Sequence, residues 1–214
     1  MSLSYRERPP ASEPARGLLV LHHGRGADEG DLLSLADVLD SQQRLHIVTP
    51  RAPLTLAGWP GHHWYVVPRV GYPDPETFWS AYQELAAFHD EQRERTGTTP
   101  GQTVLGGFSM GSVMSYALGL GSDRSAPAGI LAFSGFVPTV EGWDPDLAAR
   151  QDVRVFVAHG RADPIMDVEF ARRARDLLLS GGLDVEYRES DVGHTIDPAH
   201  LPAAIAWLGA VLGV

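Results

Sequence analysis

Val104-Leu105-Gly106-Gly107-Phe108-Ser109-Met110-Gly111 is an apolar run that breaks at a serine set between glycines, and Val113, Met114, Ala117 and Leu118 follow it at helical spacing. The run reads as a buried strand and the periodic segment as a helix. The two meet at Ser109 with no loop between them. Such a join is a sharp turn, which Gly107 and Gly111 permit by removing Cβ clashes, and it leaves the serine hydroxyl exposed at the end of a sheet. In a chain with 23 glycines the pattern Gly-x-Ser-x-Gly is weak by itself; its place between strand and helix gives it meaning.

Outward from this turn the same alternation continues. Upstream, Gly17-Leu18-Leu19-Val20-Leu21-His22 is a second apolar run, ended by Gly24 and Gly26, and Leu45-His46-Ile47-Val48-Thr49 is a third, stopped by Pro50. Downstream, strands are predicted at 129–134, 153–158 and 183–189. Helices are predicted over about 31–40, 75–95, 166–180 and 198–212. The second of these puts Phe78, Tyr82, Leu85 and His89 on one face, and the last puts Leu201, Ile205, Leu208 and Leu212 together. Alternating strands and helices imply an α/β fold: a mostly parallel central sheet, right-handed crossovers and helices on both faces. Sites in such sheets form at the carboxyl ends of the strands. Residues 51–75, rich in Pro, Gly and aromatics, fit neither period and read as a long structured loop, a feature that is usually functional.

The 214 residues fit a single domain over 17–214, preceded by a polar segment, 1–16, that could add an edge strand. A net charge of −10 argues against nucleic acid as a partner. No segment approaches eighteen uninterrupted apolar residues, and the start is polar and unlike a signal peptide, so no membrane insertion and a cytoplasmic location are expected. Cysteine and lysine are both absent, which excludes disulfides, thiolate metal sites, cysteine nucleophiles and Schiff-base chemistry. Monomer and homodimer both remain open.

A serine hydroxyl is a poor nucleophile at neutral pH and needs a base beside it. Of nine histidines, His194 sits in a loop after the strand ending near residue 189 and before the last helix, at the same sheet edge as Ser109. A third group must accept the Nδ1 proton of the histidine. Asp163, just beyond the strand 153–158, is placed for this; Asp167 falls inside the following predicted helix, and Asp191 lies only three residues from His194. The order Ser, Asp, His matches one fold class of hydrolases. Charge on a tetrahedral intermediate needs donors already in place, and the backbone N–H groups of Met110 and of Arg25, in the turn His23-Gly24-Arg25-Gly26, are candidates. Replacing Ser112 or Ser115, farther along the helix, by alanine is expected to affect turnover only mildly.

Leu21-His22-His23-Gly24-Arg25-Gly26, Gly107-Phe108-Ser109-Met110-Gly111, Ser134-Gly135-Phe136, His159-Gly160-Arg161-Ala162-Asp163-Pro164 and Gly193-His194, in that order, resemble the phospholipase/carboxylesterase family of α/β-hydrolases, which includes acyl-protein thioesterases. The resemblance spans 17–212. It implies an α/β-hydrolase fold without a cap domain, hydrolysis of carboxylic esters or thioesters, no cofactor and no metal. It also implies Ser109, Asp163 and His194 as the triad, with Arg25 and Met110 as backbone donors. Two departures stand out: the family often has Gln where this chain has Met110, and the turn carries the doubled histidine His22-His23.

The expected activity is a serine carboxylesterase acting through an acyl-enzyme on small-molecule esters of short to medium acyl or aryl type, with acyl-protein thioesterase or lysophospholipase as the alternative. Too few residues lie between Ser134 and Val153 for a cap domain, so loops must form the substrate site. Trp64, Tyr65, Phe136 and Met166 are the candidates. Competing readings are a metal hydrolase built from His22, His23, His62 and His63, disfavoured because adjacent strand residues face opposite ways, and a non-catalytic binding module on the same fold.

Overall fold

The computed structural model describes residues 3–214. Seven strands form one sheet: β1 (Tyr5–Arg8), β2 (Leu18–His22), β3 (His46–Pro50), β4 (Thr103–Phe108), β5 (Gly129–Phe133), β6 (Arg154–Gly160) and β7 (Val185–Ser190). Among the described residues, the helices α1 (Leu33–Leu39), α2 (Pro75–Thr96), α3 (Met110–Leu120) and α4 (Glu169–Ser180) connect strands, and α5 (Leu201–Leu212) follows β7. The strand order is β1-β3-β2-β4-β5-β6-β7, with β1 antiparallel at one edge and every other pairing parallel. The alternation implies a mostly parallel α/β sheet, and the sheet has the α/β-hydrolase architecture that the resemblance implies. Of segment 1–16, the first two residues lie outside the described residues; Tyr5–Arg8 pairs with Ile47–Pro50.

The strands read as unbroken apolar runs because both faces of the sheet are covered. Leu18, Val20, Leu105, Ile130, Ala132, Val155 and Val157 point to one layer, shared with Phe78 and Leu85 of α2, Val113 of α3 and Leu178 of α4. Leu19, Leu21, Val104, Leu131, Phe133 and Phe156 point the other way, onto Leu35 and Leu39 of α1 and Trp207 and Leu208 of α5. The period of two along each strand thus divides one run between two cores.

Several boundaries differ from expectation for local reasons. Pro50 closes β3 from within, opposite Tyr5. Helix α4 begins at Glu169, not 166, and Asp167 lies before it, accepting the Glu169 N–H at 2.8 Å. A 3-10 turn, Pro198–His200, precedes α5. The core face of α5 is Ala204, Trp207 and Leu208, and Ile205 faces solvent, because the indole of Trp207 packs against Phe156 at 6.0 Å and fills the space beside Gly129.

The chain leaves β2 for β3 on one side and later returns to β4 on the other. The carboxyl ends of β2 and β4 therefore flank a topological switch point, where open parallel sheets form their crevice. Ser109 follows β4 there. Among the described residues no helix is long and apolar enough to cross a membrane. The segment after β5 packs down as loop and one 3-10 turn, Leu147–Arg150, with Trp143 buried and donating to the Ala117 carbonyl at 3.2 Å.

Candidate active site

Ser109 has φ 56° and ψ −119°, a left-handed conformation strained for any residue with a side chain. What holds it is the packing of its neighbours. A Cβ on Gly111 would lie 2.0 Å from the carbonyl oxygen of His22, and one on Gly107 would lie 2.5 Å from the carbonyl carbon of Gly111. Only glycine lets α3 approach β2 and β4 this closely. Ser112 ties the turn further: its hydroxyl sits 2.6 Å from the Gly107 carbonyl and 2.8 Å from that of Phe133, and accepts the Phe133 N–H at 3.0 Å. Ser112 is fully buried and joins β4, β5 and α3, a structural role separate from the mild effect on turnover expected of its replacement.

The structure brings Ser109, His194 and Asp163 into one hydrogen-bonded chain. His194 Nε2 lies 2.9 Å from Ser109 Oγ, and His194 Nδ1 lies 2.6 Å from Asp163 Oδ2. With Nδ1 donating to the carboxylate, Nε2 is left as an acceptor for the serine proton. The other oxygen of Asp163 accepts the backbone N–H groups of Ile165 at 2.9 Å and Met166 at 2.8 Å. Burial raises the Asp163 pKa, but hydrogen bonds from Met166, His194 and Ile165 outweigh it and hold the carboxyl below its ordinary range. Asp163 is therefore a fixed anion. Asp191 instead pairs with Arg161 at 2.7 Å on the surface.

Neighbouring amides are committed elsewhere: Ser109 N–H donates to Phe133, Gly26 N–H to His62 and Val113 N–H to Ser109. Arg25 and Met110 have no such backbone acceptor among the described residues. The turn bearing Arg25 is set by the doubled histidines. His23 donates from Nδ1 to the Gly24 carbonyl at 2.7 Å and accepts the Ala52 N–H at Nε2 at 3.0 Å. His22 contacts Ser115 Oγ at 2.8 Å and His89 Nε2 at 3.0 Å inside the core. Burial lowers the pKa of His22 to about 3 and that of His23 to about 4, so both are neutral packing groups. Among the described residues no three His, Cys, Asp or Glu side chains are arranged to hold a metal ion, and His22, His23, His62 and His63 do not converge as a ligand set.

Ser109 and His194 open into a cleft of about 470 Å³. Tyr65, Phe136 and Met166 line it, as do Phe108, Val67 and Ile165. Trp64 does not. It is fully buried, its Nε1–H donates to the His23 carbonyl at 2.9 Å, and its ring packs against His22 and His23. Trp64 and its neighbour Tyr65 thus face opposite ways, one into the core and the other into the cleft. Sequence reasoning missed Trp59, Arg69 and Tyr72, which rim the cleft from the 51–75 loop; that loop carries no period from which to tell a rim from a filler. It also missed His159, whose Nε2–H donates to the Met166 carbonyl at 2.8 Å, bracing the loop that holds Asp163.

What this architecture defines is a serine hydrolase built on the α/β-hydrolase fold. Comparison with known proteins narrows the class: the phospholipase/carboxylesterase family matches residues 8–212, and the chain belongs to that family. Among curated relatives, acyl-protein thioesterase 1 of Debaryomyces hansenii is 25% identical over 94% of each chain. Lysophospholipase-like protein 1 of Mus musculus is 25% identical over 93% of this chain and 88% of its own. Among solved structures, esterase PE8 superposes with a TM-score of 0.83 at 31% identity, covering 99% of this chain and 100% of its own. The Bacillus cereus carboxylesterase has the same fold, with a TM-score of 0.83 at 23% identity over 98% of this chain and 94% of its own.

Proposed function

We propose that this chain is a carboxylesterase in which Ser109 attacks the ester carbonyl, His194 moves the proton and Asp163 holds the histidine. The observation that carries the reading is the continuous hydrogen-bonded chain from Asp163 Oδ2 to Ser109 Oγ, ending in a cleft. As Ser109 Oγ bonds to the carbonyl carbon, its proton passes to His194 Nε2, and the resulting imidazolium is stabilised by the Asp163 carboxylate. The carbonyl oxygen takes up negative charge beside the N–H groups of Arg25 and Met110. Collapse breaks the ester bond, the alcohol leaves with the proton from His194, and the acyl group stays on Ser109. Water, deprotonated by the same histidine, then releases the acid.

The apolar lining from Tyr65, Phe136 and Met166 and the open cleft support substrates with short to medium acyl chains or aryl groups, handled by a single domain over 17–214 acting as a monomer or homodimer in the cytoplasm. Thioester hydrolysis is a second reading that fits equally well, because relatives such as that of Debaryomyces hansenii bear the name acyl-protein thioesterase 1 and thioester carbonyls use the same nucleophile and donors. Lysophospholipase action rests likewise on the name of the mouse relative.

A fluorophosphonate probe tests the assignment. It is expected to form one adduct, on Ser109, and none in folded Ser109→Ala protein, whose kcat is expected to fall by on the order of 10⁶. Normal turnover in that variant overturns the mechanism. Comparing kcat/KM for S-benzyl thiobutyrate and benzyl butyrate separates thioesterase from esterase.

A further inference from the structure

Two arginines at the mouth of the cleft have no carboxylate partner among the described residues. Arg25 lies over the ring of Trp59, with its guanidinium carbon 4.1 Å from the centroid, and Arg69 lies over Tyr72 at 3.6 Å. All four residues line the same cleft as Ser109. Elsewhere arginines such as Arg51, Arg161 and Arg172 are tied to glutamate or aspartate within ion-pair distance, as expected in a chain with 27 acidic against 17 basic residues. At the cleft the balance reverses: among the described residues, Asp31 is the one carboxylate in the lining, against two guanidiniums.

Stacking on an aromatic face holds a guanidinium in position and leaves its N–H edges free for an acceptor. Both arginines are solvent-exposed. A second polar group points the same way. Tyr65 is 2% exposed and lines the cleft, yet no protein atom hydrogen-bonds to its hydroxyl among the described residues; burial keeps the phenol protonated, and the charge of Arg25 acts on it. The hydroxyl oxygen itself reaches the open cleft, where it is free to donate to a bound group.

We infer that the substrate is an ester that also carries an ionised oxyacid group, a carboxylate or a phosphate, and that Arg25, Arg69 and the Tyr65 hydroxyl select it. An apolar cleft floor with a positive mouth, on a protein of net charge −10, draws in an anion that the rest of the surface repels. This rests on the reading of Ser109 as nucleophile for turnover, but not for binding.

The test measures binding and turnover separately. In Ser109→Ala protein, tryptophan fluorescence gives Kd for benzyl butyrate, 4-carboxybenzyl butyrate, 4-(phosphonomethyl)benzyl butyrate and 4-(trimethylammoniomethyl)benzyl butyrate. Monobenzyl glutarate against benzyl valerate places the charge on the acyl side instead. At least one anionic ester is expected to bind about fivefold or more tightly than its neutral counterpart and the cationic ester more weakly, with the gap shrinking in high salt. Whichever anion gains more identifies the recognised group. On the same background Arg69→Gln and Arg25→Gln are each expected to cut the gap about two- to threefold, and Tyr65→Phe to reduce it further. Equal affinity for all charge types, or a gap insensitive to salt and to both arginine substitutions, overturns the inference. Turnover by the wild-type protein without charge preference leaves the Ser109 mechanism standing and removes the anion site; preference in binding without turnover does the reverse.

Discussion

His22 at the end of β2 and His89 in the middle of α2 face each other across the core, Nε2 to Nε2 at 3.0 Å, with rings stacked 5.1 Å apart. One ring donates and the other accepts, so the two cannot both be protonated. Burial drives both pKa values down, and the charges of Arg124 and Arg93 push His89 lower still.

This pair makes the fold acid-sensitive. Above about pH 6.5 both folded and unfolded histidines are neutral and contribute nothing to pH dependence. Below it the unfolded chain binds protons that the native state refuses, until the native pKa of about 3 for His22 and about 4 for His23 is reached. Each such histidine removes about 1.4 kcal/mol per pH unit across that window. Urea midpoints are expected to fall steadily from pH 7 to 5, and the slope to lessen in His89→Gln. A flat profile there would show that the pair titrates normally.

Asp163 is expected to rank above its neighbours in catalysis. Asp163→Asn should lower kcat by roughly 10⁴ with little change in KM, through loss of the tautomer that leaves His194 Nε2 as acceptor. Asp167→Asn, which touches only the start of α4, and Asp191→Asn, whose partner is Arg161 at the surface, should each cost far less. Steady-state kinetics on the three variants checks the order.

Ser112→Ala is expected to destabilise the protein by about 1–3 kcal/mol, because it leaves the Phe133 N–H without its acceptor in the core. Ser115→Ala removes a contact to His22 and to the Gly111 carbonyl and should cost about 1 kcal/mol. Equal stability of both variants and wild type would mean that the turn is held by glycine packing alone.

With no cap over the cleft among the described residues, rate should rise smoothly with substrate concentration through the solubility limit, with no jump on emulsion formation. Each added acyl methylene should contribute about 0.8 kcal/mol to kcat/KM until the cleft ends, then nothing. A jump at the interface would reveal a movable cover that the buried Trp143 segment does not provide.

Several of these features were legible in the residues alone. The period of apolar positions around Ser109 determined a strand, a turn and a helix without room for a loop, and alternation of that unit along the chain determined a parallel sheet covered on both faces. Chain order then put Asp163 and His194 at one edge, because crossover connections bring every loop after a parallel strand to the same side. Side-chain direction in the aperiodic stretches was not legible. Trp64 and Tyr65 are equivalent by composition and position, yet one props the His23 turn and the other faces the cleft. Ser112 looks like any helical serine until β5 is placed beside it. Arg25 and Arg69 are separated by a long loop in sequence and meet at one mouth only because that loop folds back over β2 and β4. Local pattern determines the elements, since period is a property of backbone geometry; which groups converge between them depends on contacts across many residues, and only the tertiary structure decided those.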